Sequence, residues 1–390
     1  MAHSAPRLMR LRSLLFPSAL LALPAIASCG AKTGLEIERF DVGIDARTFD
    51  AGRDAGSDSP DAVMCMPGRF PVEPARADLM LVVDRSGSMR NDFDGIPDLP
   101  VEQWRWAFMR TAIAESLPTL GDRVRIGAKF YPDIIPPDAM VITPEIACLS
   151  SNGVDVLPVV NATPAILTVF DRALPLGGTP TAEAVVDARD ALLDSVEGRR
   201  FIVVATDGGP NCNNNPEDVD PLTCECTSQP EDCLTPDVGI FSCLDDPRTV
   251  NIVDETFTRF GIPVFIIGIE DRSRPALSAY LDRMAVAGGR ARMVPGGRSF
   301  YSVRSSAELT EAFRQITGSI SRCAFVSPSV PVDEMTFSVE VNGRVVPRDA
   351  TSGWTWVNRA RGELELHGAV CDEANGPGGS VVAIVDSCPP

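Results

Sequence analysis

Histidine is scarce. The 390 residues hold two, and His367 is the one beyond the N-terminal segment. One histidine leaves no Ser-His-Asp arrangement, no zincin helix and no paired imidazoles for a metal. Positive charge is also in short supply. Lys and Arg number 35 against 53 Asp and Glu, for a net charge of −18. Such a chain is a poor partner for nucleic acid or for an anionic lipid surface. Long apolar runs are missing too. Leu14 to Ile26 is short and interrupted by Pro17 and Pro24, too little for a comfortable membrane span. The glycine pairs at 288–289, 296–297 and 378–379 lack the strand-to-helix phosphate pattern and read as turns.

The apolar fraction, 44%, is ordinary and allows a full core, and the length is enough for two domains. Residues 1–28 read as an export signal, with Arg7, Arg10 and Arg12 ahead of the short apolar stretch. Ile26-Ala27-Ser28-Cys29-Gly30 resembles a bacterial lipobox, which implies that Cys29 becomes the lipid-modified first residue. Plain cleavage near Ala27 or Ser28 is the other reading. Cysteine arithmetic favours the first. Of 11 cysteines, ten remain once Cys29 carries lipid: Cys65, Cys148, Cys212, Cys224, Cys226, Cys233, Cys243, Cys323, Cys371 and Cys388. An even set in an exported chain reads as disulfides. Residues 29–65 scatter Asp41, Asp45, Asp50, Asp54, Asp58 and Asp61 among Gly, Ala and Ser, and read as a disordered acidic tether.

The informative stretch is Asp78 to Arg90. Leu79 to Val83 suits a strand buried on both faces, and Asp84, Ser86 and Ser88 follow it. Oxygen donors just past the end of a central strand lie where open α/β sheets bind ligands. A carboxylate and two hydroxyls suit a hard cation. Gly87 lets the backbone turn, so that both serines face one point. Two later stretches match. Leu176-Gly-Gly-Thr-Pro-Thr181 offers Thr179 at a helix start, and the apolar run Phe201 to Thr206 ends in Asp207. A capped turn would explain the first motif alone.

Asp84, Ser86, Ser88, Thr179 and Asp207 together resemble the metal-ion-dependent adhesion site of von Willebrand factor type A domains, in order and in element context. The resemblance covers about Ala75 to Ser321. It implies a doubly wound, mostly parallel sheet with one divalent cation, most fittingly Mg2+, with Mn2+ or Ca2+ as alternatives. Ser86, Ser88 and Thr179 would ligate it through hydroxyls, with Asp84 and Asp207 direct or through water. An open position would then accept a carboxylate from a protein partner, and Arg85 and Arg90 would make a local positive spot.

The remaining pattern sets the domain plan. Residues 66–323 alternate strand and helix: helices are expected over 102–117, 163–174, 181–196, 251–260, 275–287 and 307–320, and strands over 124–131, 200–205, 263–269 and 300–303, with an edge strand near Met140–Ile142. An insertion at 208–246 carries Cys212, Cys224, Cys226, Cys233 and Cys243 and should sit beside the metal. Five is odd, so one partner lies elsewhere, with Cys148 the candidate. Zinc is disfavoured, since the spacing matches no common site and no histidine is near. Residues 324–390 turn to period two, with a hairpin at Asn342-Gly343, and read as a small sandwich or barrel. Cys371 and Cys388 bracket its last strands and are expected to pair, and Cys65 with Cys323 to close the larger domain. Trp354 and Trp356 read as packing, with a ligand platform as the alternative.

The expected function is a lipid-anchored cell-envelope protein that binds an acidic partner through the cation, for adhesion or assembly. A metal-dependent hydrolase is the first alternative, weakened because one ion held by neutral ligands generates hydroxide poorly. A structural envelope protein without a metal-mediated partner is the second.

Overall fold

The apolar run Leu79 to Val83 lies inside an eight-residue strand, Ala77–Asp84, in which every residue is buried. In this computed structural model the strand is central to a six-stranded sheet. The order is Val156–Val159, Val124–Tyr131, Ala77–Asp84, Arg199–Thr206, Val264–Ile269 and Tyr301–Val303. Neighbours are parallel except at the Val156–Val159 edge. The structure describes residues 64–390 apart from 135–141, 152, 195–197, 214–218, 229, 236–238, 271–274 and 389–390. The signal, Cys29, nearly all of the tether and the core of the strand expected near Met140 lie outside the described residues.

Side chains alternate across a strand, so the sheet feeds two cores. Leu79, Leu81 and Val83 face helices Arg105–Ser116, Thr163–Arg172 and Ser306–Arg322. Met80 and Val82 face Thr181–Leu193, Asp246–Thr258 and Pro275–Ala287. This is the doubly wound architecture that the alternation implies. Numbered along the chain, the strands run 3-2-1-4-5-6 across the sheet, and the direction of winding reverses between Ala77–Asp84 and Arg199–Thr206. The crevice outside the carboxyl ends at such a reversal is the place for a ligand. Asp84 and Asp207 stand there.

The β part is a sandwich of two four-stranded sheets. One holds Gly68–Pro71, Val381–Val385, Phe337–Val341 and Arg344–Val346; the other holds Trp354–Asn358, Glu363–Leu366, Ala324–Val326 and Glu73–Pro74. Phe337, Val339, Trp354, Leu364 and Ala383 fill the space between. Trp354 is buried in that core and Trp356 packs on Phe337 at 4.5 Å between ring centroids, so both tryptophans pack. Residues 68–74 thus complete the sandwich from the other end of the chain, and the α/β part begins near Ala75 rather than at residue 66. Both parts belong to one compact unit.

That topology corrects two expected disulfides. Gly68 stands opposite Val385 in an antiparallel register, which places Cys65 opposite Cys388. Those two are bonded, with Cα atoms 5.8 Å apart. Cys323 is bonded instead to Cys371, on the short helix Ala369–Ala374 that period two did not announce. The Cys65–Cys323 and Cys371–Cys388 pairs are therefore both replaced. Among the described residues no helix is long and apolar enough to cross a membrane.

Candidate metal centre

Asp84 is fully buried at the end of its strand. One carboxylate oxygen accepts from the Ser86 amide at 2.7 Å and the other from Thr206 Oγ1 at 2.6 Å. The chain then turns through a 3-10 helix, Gly87–Arg90, pinned by buried Met89. This turn brings the hydroxyls of Ser86 and Ser88 within 2.9 Å of each other. Ser88 Oγ in turn donates to Asp207 Oδ1 at 2.8 Å. Ser86, Ser88, Thr179 and Asp207 line one cavity of about 300 Å3. Asp84 lies beneath them. The structure thus gathers all five sequence-predicted residues at the reversal point of the sheet.

The donor set fits a small hard cation. It offers two carboxylates and three hydroxyls, all oxygen. An octahedral shell with bonds of about 2.0–2.1 Å has ligand–ligand edges of about 2.8–3.0 Å. The Ser86–Ser88 and Ser88–Asp207 oxygen separations, 2.9 and 2.8 Å, match that edge. Burial, and then the charge of Asp207, push the Asp84 carboxyl up from 3.8 to about 7, against the pull of its bonds from Thr206 and Ser86. A cation here would compete with that proton.

Sequence reasoning missed one member. Arg105 opens its helix with its side chain 2% exposed, and its Nη1 donates to Asp207 Oδ2 at 2.6 Å. Its Nε and Nη2 are buried without hydrogen-bond partners among the described residues. The available signal was a charge on an apolar stripe, since Arg105, Met109 and Ile113 share one buried helix face. Arg85, expected to add to a positive spot beside the ion, points away from solvent. It is 2% exposed and its guanidinium donates to the backbone carbonyls of Pro132, Asp133 and Leu174. It clamps loops, because carbonyls left over at strand ends need donors. Arg90 likewise donates to the Pro175 carbonyl and lies over Trp104.

Glycine serves the site at a different place than expected. Gly87 has no positive φ, and a Cβ there would meet only the Gly177 oxygen at an ordinary 3.7 Å. Gly177 has φ +97, and a Cβ on Gly178 would sit 2.6 Å from Cys212 Sγ. The Thr179 loop therefore needs its glycines to approach a disulfide. That disulfide is Cys148–Cys212, which ties the short helix Pro144–Ala147 to the start of the insertion. Asn211 then holds Thr179 from both sides: its Oδ1 accepts from the Thr179 backbone N–H at 2.7 Å, and its backbone N–H donates to the Thr179 carbonyl at 3.0 Å. Further along, Thr227, Ser228 and Asp232 line the same cavity. Cys224–Cys243 and Cys226–Cys233 staple the rest of the insertion. The sulfurs of Cys224, Cys233 and Cys243 lie within 4.8 Å of one another because two disulfides are adjacent, and disulfide sulfur offers zinc no thiolate.

Comparison with known proteins finds likeness of structure at low identity. A PilB minor pilin from Streptococcus sanguinis aligns at 17% identity and TM-score 0.42, over 63% of this chain and 61% of the pilin. The vWF domain of the type V pili tip protein Mfa5 from Porphyromonas gingivalis aligns at 16% and 0.39, over 64% of this chain and 96% of that domain. A von Willebrand factor type A protein from Catenulispora acidiphila aligns at 13% and 0.37, over 83% and 63%. The chain spans less than two thirds of the length of the pilin and of the Catenulispora protein. No protein-family model and no curated protein matches the chain. At these scores the likeness carries no functional argument, which rests on the site itself.

Proposed function

We propose that the chain is an exported binding protein of the von Willebrand factor type A kind, gripping an acidic residue of a protein partner through one divalent cation. The observation that carries this reading is the run of oxygens Ser86–Ser88–Asp207 in the cavity that Thr179 also lines, at the reversal point of the sheet. Mg2+ fits best, with Mn2+ or Ca2+ as alternatives. Ser86, Ser88 and Thr179 would hold the ion through neutral hydroxyls, and Asp84 and Asp207 would orient them. When bound, the ion supplies a Lewis-acidic position for an incoming carboxylate.

Charge balance supports the reading. Arg105 offsets Asp207, so the two carboxylates and one guanidinium leave one negative charge under a dication. The centre would be locally positive on a chain of net charge −18, which lets it attract an acidic group that the rest of the surface repels. Five disulfides support export. A lipid on Cys29 and an acidic tether would hold the unit off the envelope surface.

No specific observation favours catalysis. His367 sits in the sandwich with its Nε2 2.8 Å from Thr355 Oγ1. The test is an array of peptides carrying Asp or Glu, each beside its Asn or Gln counterpart, probed with Mg2+ or with EDTA. Binding to acidic peptides that EDTA and Thr179→Ala both abolish is expected. Binding indifferent to EDTA, or equal for acids and amides, would contradict the reading.

A further inference from the structure

A second polar cavity, of about 400 Å3, lies at the opposite end of the sheet, where the α/β part meets the sandwich. Arg199, Arg200 and Arg290 enter it from the first part, and Arg361, Glu363 and Glu365 from the second. Four guanidinium groups thus face two carboxylates, on a chain that is strongly acidic overall. Burial holds the Glu363 carboxyl above its ordinary value, although the arginines around it pull the other way. The cavity therefore keeps a positive excess.

Arg199 is buried and Arg290 half-buried, and both carry buried donors to spare. The Arg199 side chain is 4% exposed, and Nη2 donates to Glu365 Oε2 at 3.0 Å. Its Nε and Nη1 are buried without a hydrogen-bond partner among the described residues, as is Nε of Arg290. The Arg290 guanidinium is held over Phe201 and Phe265, 5.7 and 5.3 Å from the ring centroids. These ring contacts position the guanidinium but satisfy none of its N–H donors, and Nε stays unpartnered. Each buried donor left unmade costs on the order of 1–3 kcal/mol, more for a charged group. Packing alone does not explain three of them around one cavity.

We propose that this seam is a binding site for a tetrahedral oxyanion, a phosphate or sulfate group, free or carried on a small organic ester. Four acceptor oxygens suit several guanidinium edges at once, and forked donors favour such groups over chloride. The volume admits more than the bare ion, at the small end of ligand pockets. Because Arg199 and Arg290 belong to the α/β part and Arg361 to the sandwich, a bound anion would cross-brace the two parts. The site is independent of the cation centre and of the function proposed for it.

The test is calorimetric titration of the ion-free protein with inorganic phosphate, inorganic sulfate and glycerol phosphate, against chloride at matched ionic strength. Thermal unfolding is followed in parallel. One saturable site and a raised Tm are expected, with affinity at least tenfold weaker in Arg290→Gln. Arg361→Gln, at a half-buried position on a surface turn, guards against misfolding and should weaken binding alike. Thr179→Ala should bind as the wild type does. Tighter binding of the ester than of the inorganic ions would assign the site to phosphate-bearing molecules; equal binding would assign it to the free anion. Phosphate and sulfate binding no better than chloride, or unchanged affinity in both arginine variants, would overturn the proposal: the seam would then be water-filled packing.

Discussion

Arg105 donates to Asp207 across 2.6 Å, with both side chains withdrawn from solvent. The candidate centre thus has a resident cation next to the place where a metal ion would sit. Breaking one side of a buried pair typically costs about 3–5 kcal/mol, because the other charge is left uncompensated. Arg105→Gln is expected to lower the stability of the ion-free protein by about that much. Saturating Mg2+ should recover part of the loss, since Asp207 regains a counter-charge. Thermal unfolding with Mg2+ or EDTA checks this. A variant whose Tm responds to Mg2+ no more than the wild type does would refute it.

Asp84 gives a pH prediction. Its proton is held to about 7 in the folded state against 3.8 ordinarily. Between those values the unfolded chain binds fewer protons, so this group's contribution to stability falls as pH rises. Asp84→Asn removes the titration at nearly constant shape. The ion-free variant should match the wild type near pH 4, gain on it through the window, and keep a constant lead above about 7. It should also lose cation binding. Urea unfolding at stepped pH reads the first effect; a lead that does not grow with pH contradicts it.

The Cys148–Cys212 bridge should matter to the site beyond stability. It closes a loop of 64 residues, for which chain entropy predicts about 4 kcal/mol. The paired variant Cys148→Ser/Cys212→Ser should unfold earlier and also bind Mg2+ more weakly. The second effect follows because the disulfide touches Gly178 and Asn211 follows the Thr179 backbone. Opening Cys226–Cys233, further along the insertion, should leave Mg2+ affinity nearly unchanged. Equal losses from the two bridges would detach the Thr179 loop from this support.

Gly178→Ala isolates the same contact. Its Cβ would fall 2.6 Å from Cys212 Sγ and 3.0 Å from Cys148 Sγ. Overpacking of this kind costs about 1–3 kcal/mol. Mg2+ affinity should drop, whereas Gly87→Ala, which meets nothing closer than 3.7 Å, should be tolerated. A Gly87→Ala variant that loses Mg2+ while Gly178→Ala keeps it would reverse the assignment.

The parallel sheet was legible because buried strands such as Phe201 to Thr206 are apolar runs too short for a helix, rich in β-branched and aromatic residues. The five oxygens were legible because each follows a strand or opens a helix. Residues 68–74 were not. Pro71 and Pro74 argue against a strand unless it lies on an edge, and these strands do. Without them the register that sets Cys65 against Cys388 is invisible, and nearness in sequence misleads the pairing. Arg85 misled for a related reason: its neighbours in sequence are proposed ligands, but its side chain turns back to carbonyls that come from other loops. Arg105 hid inside a helical stripe whose burial only the fold reveals.

Asp84, Ser86, Ser88, Thr179 and Asp207 make the one divalent-cation site proposed for this protein. The most direct measurement is calorimetric titration of Mg2+ and Mn2+ into the chelator-stripped protein, beside Ser88→Ala and Thr179→Ala. A single site is expected in the wild type, weakened at least tenfold in each variant, with thermal unfolding showing both variants folded. No binding in the wild type, or folded variants that bind as tightly, would contradict it.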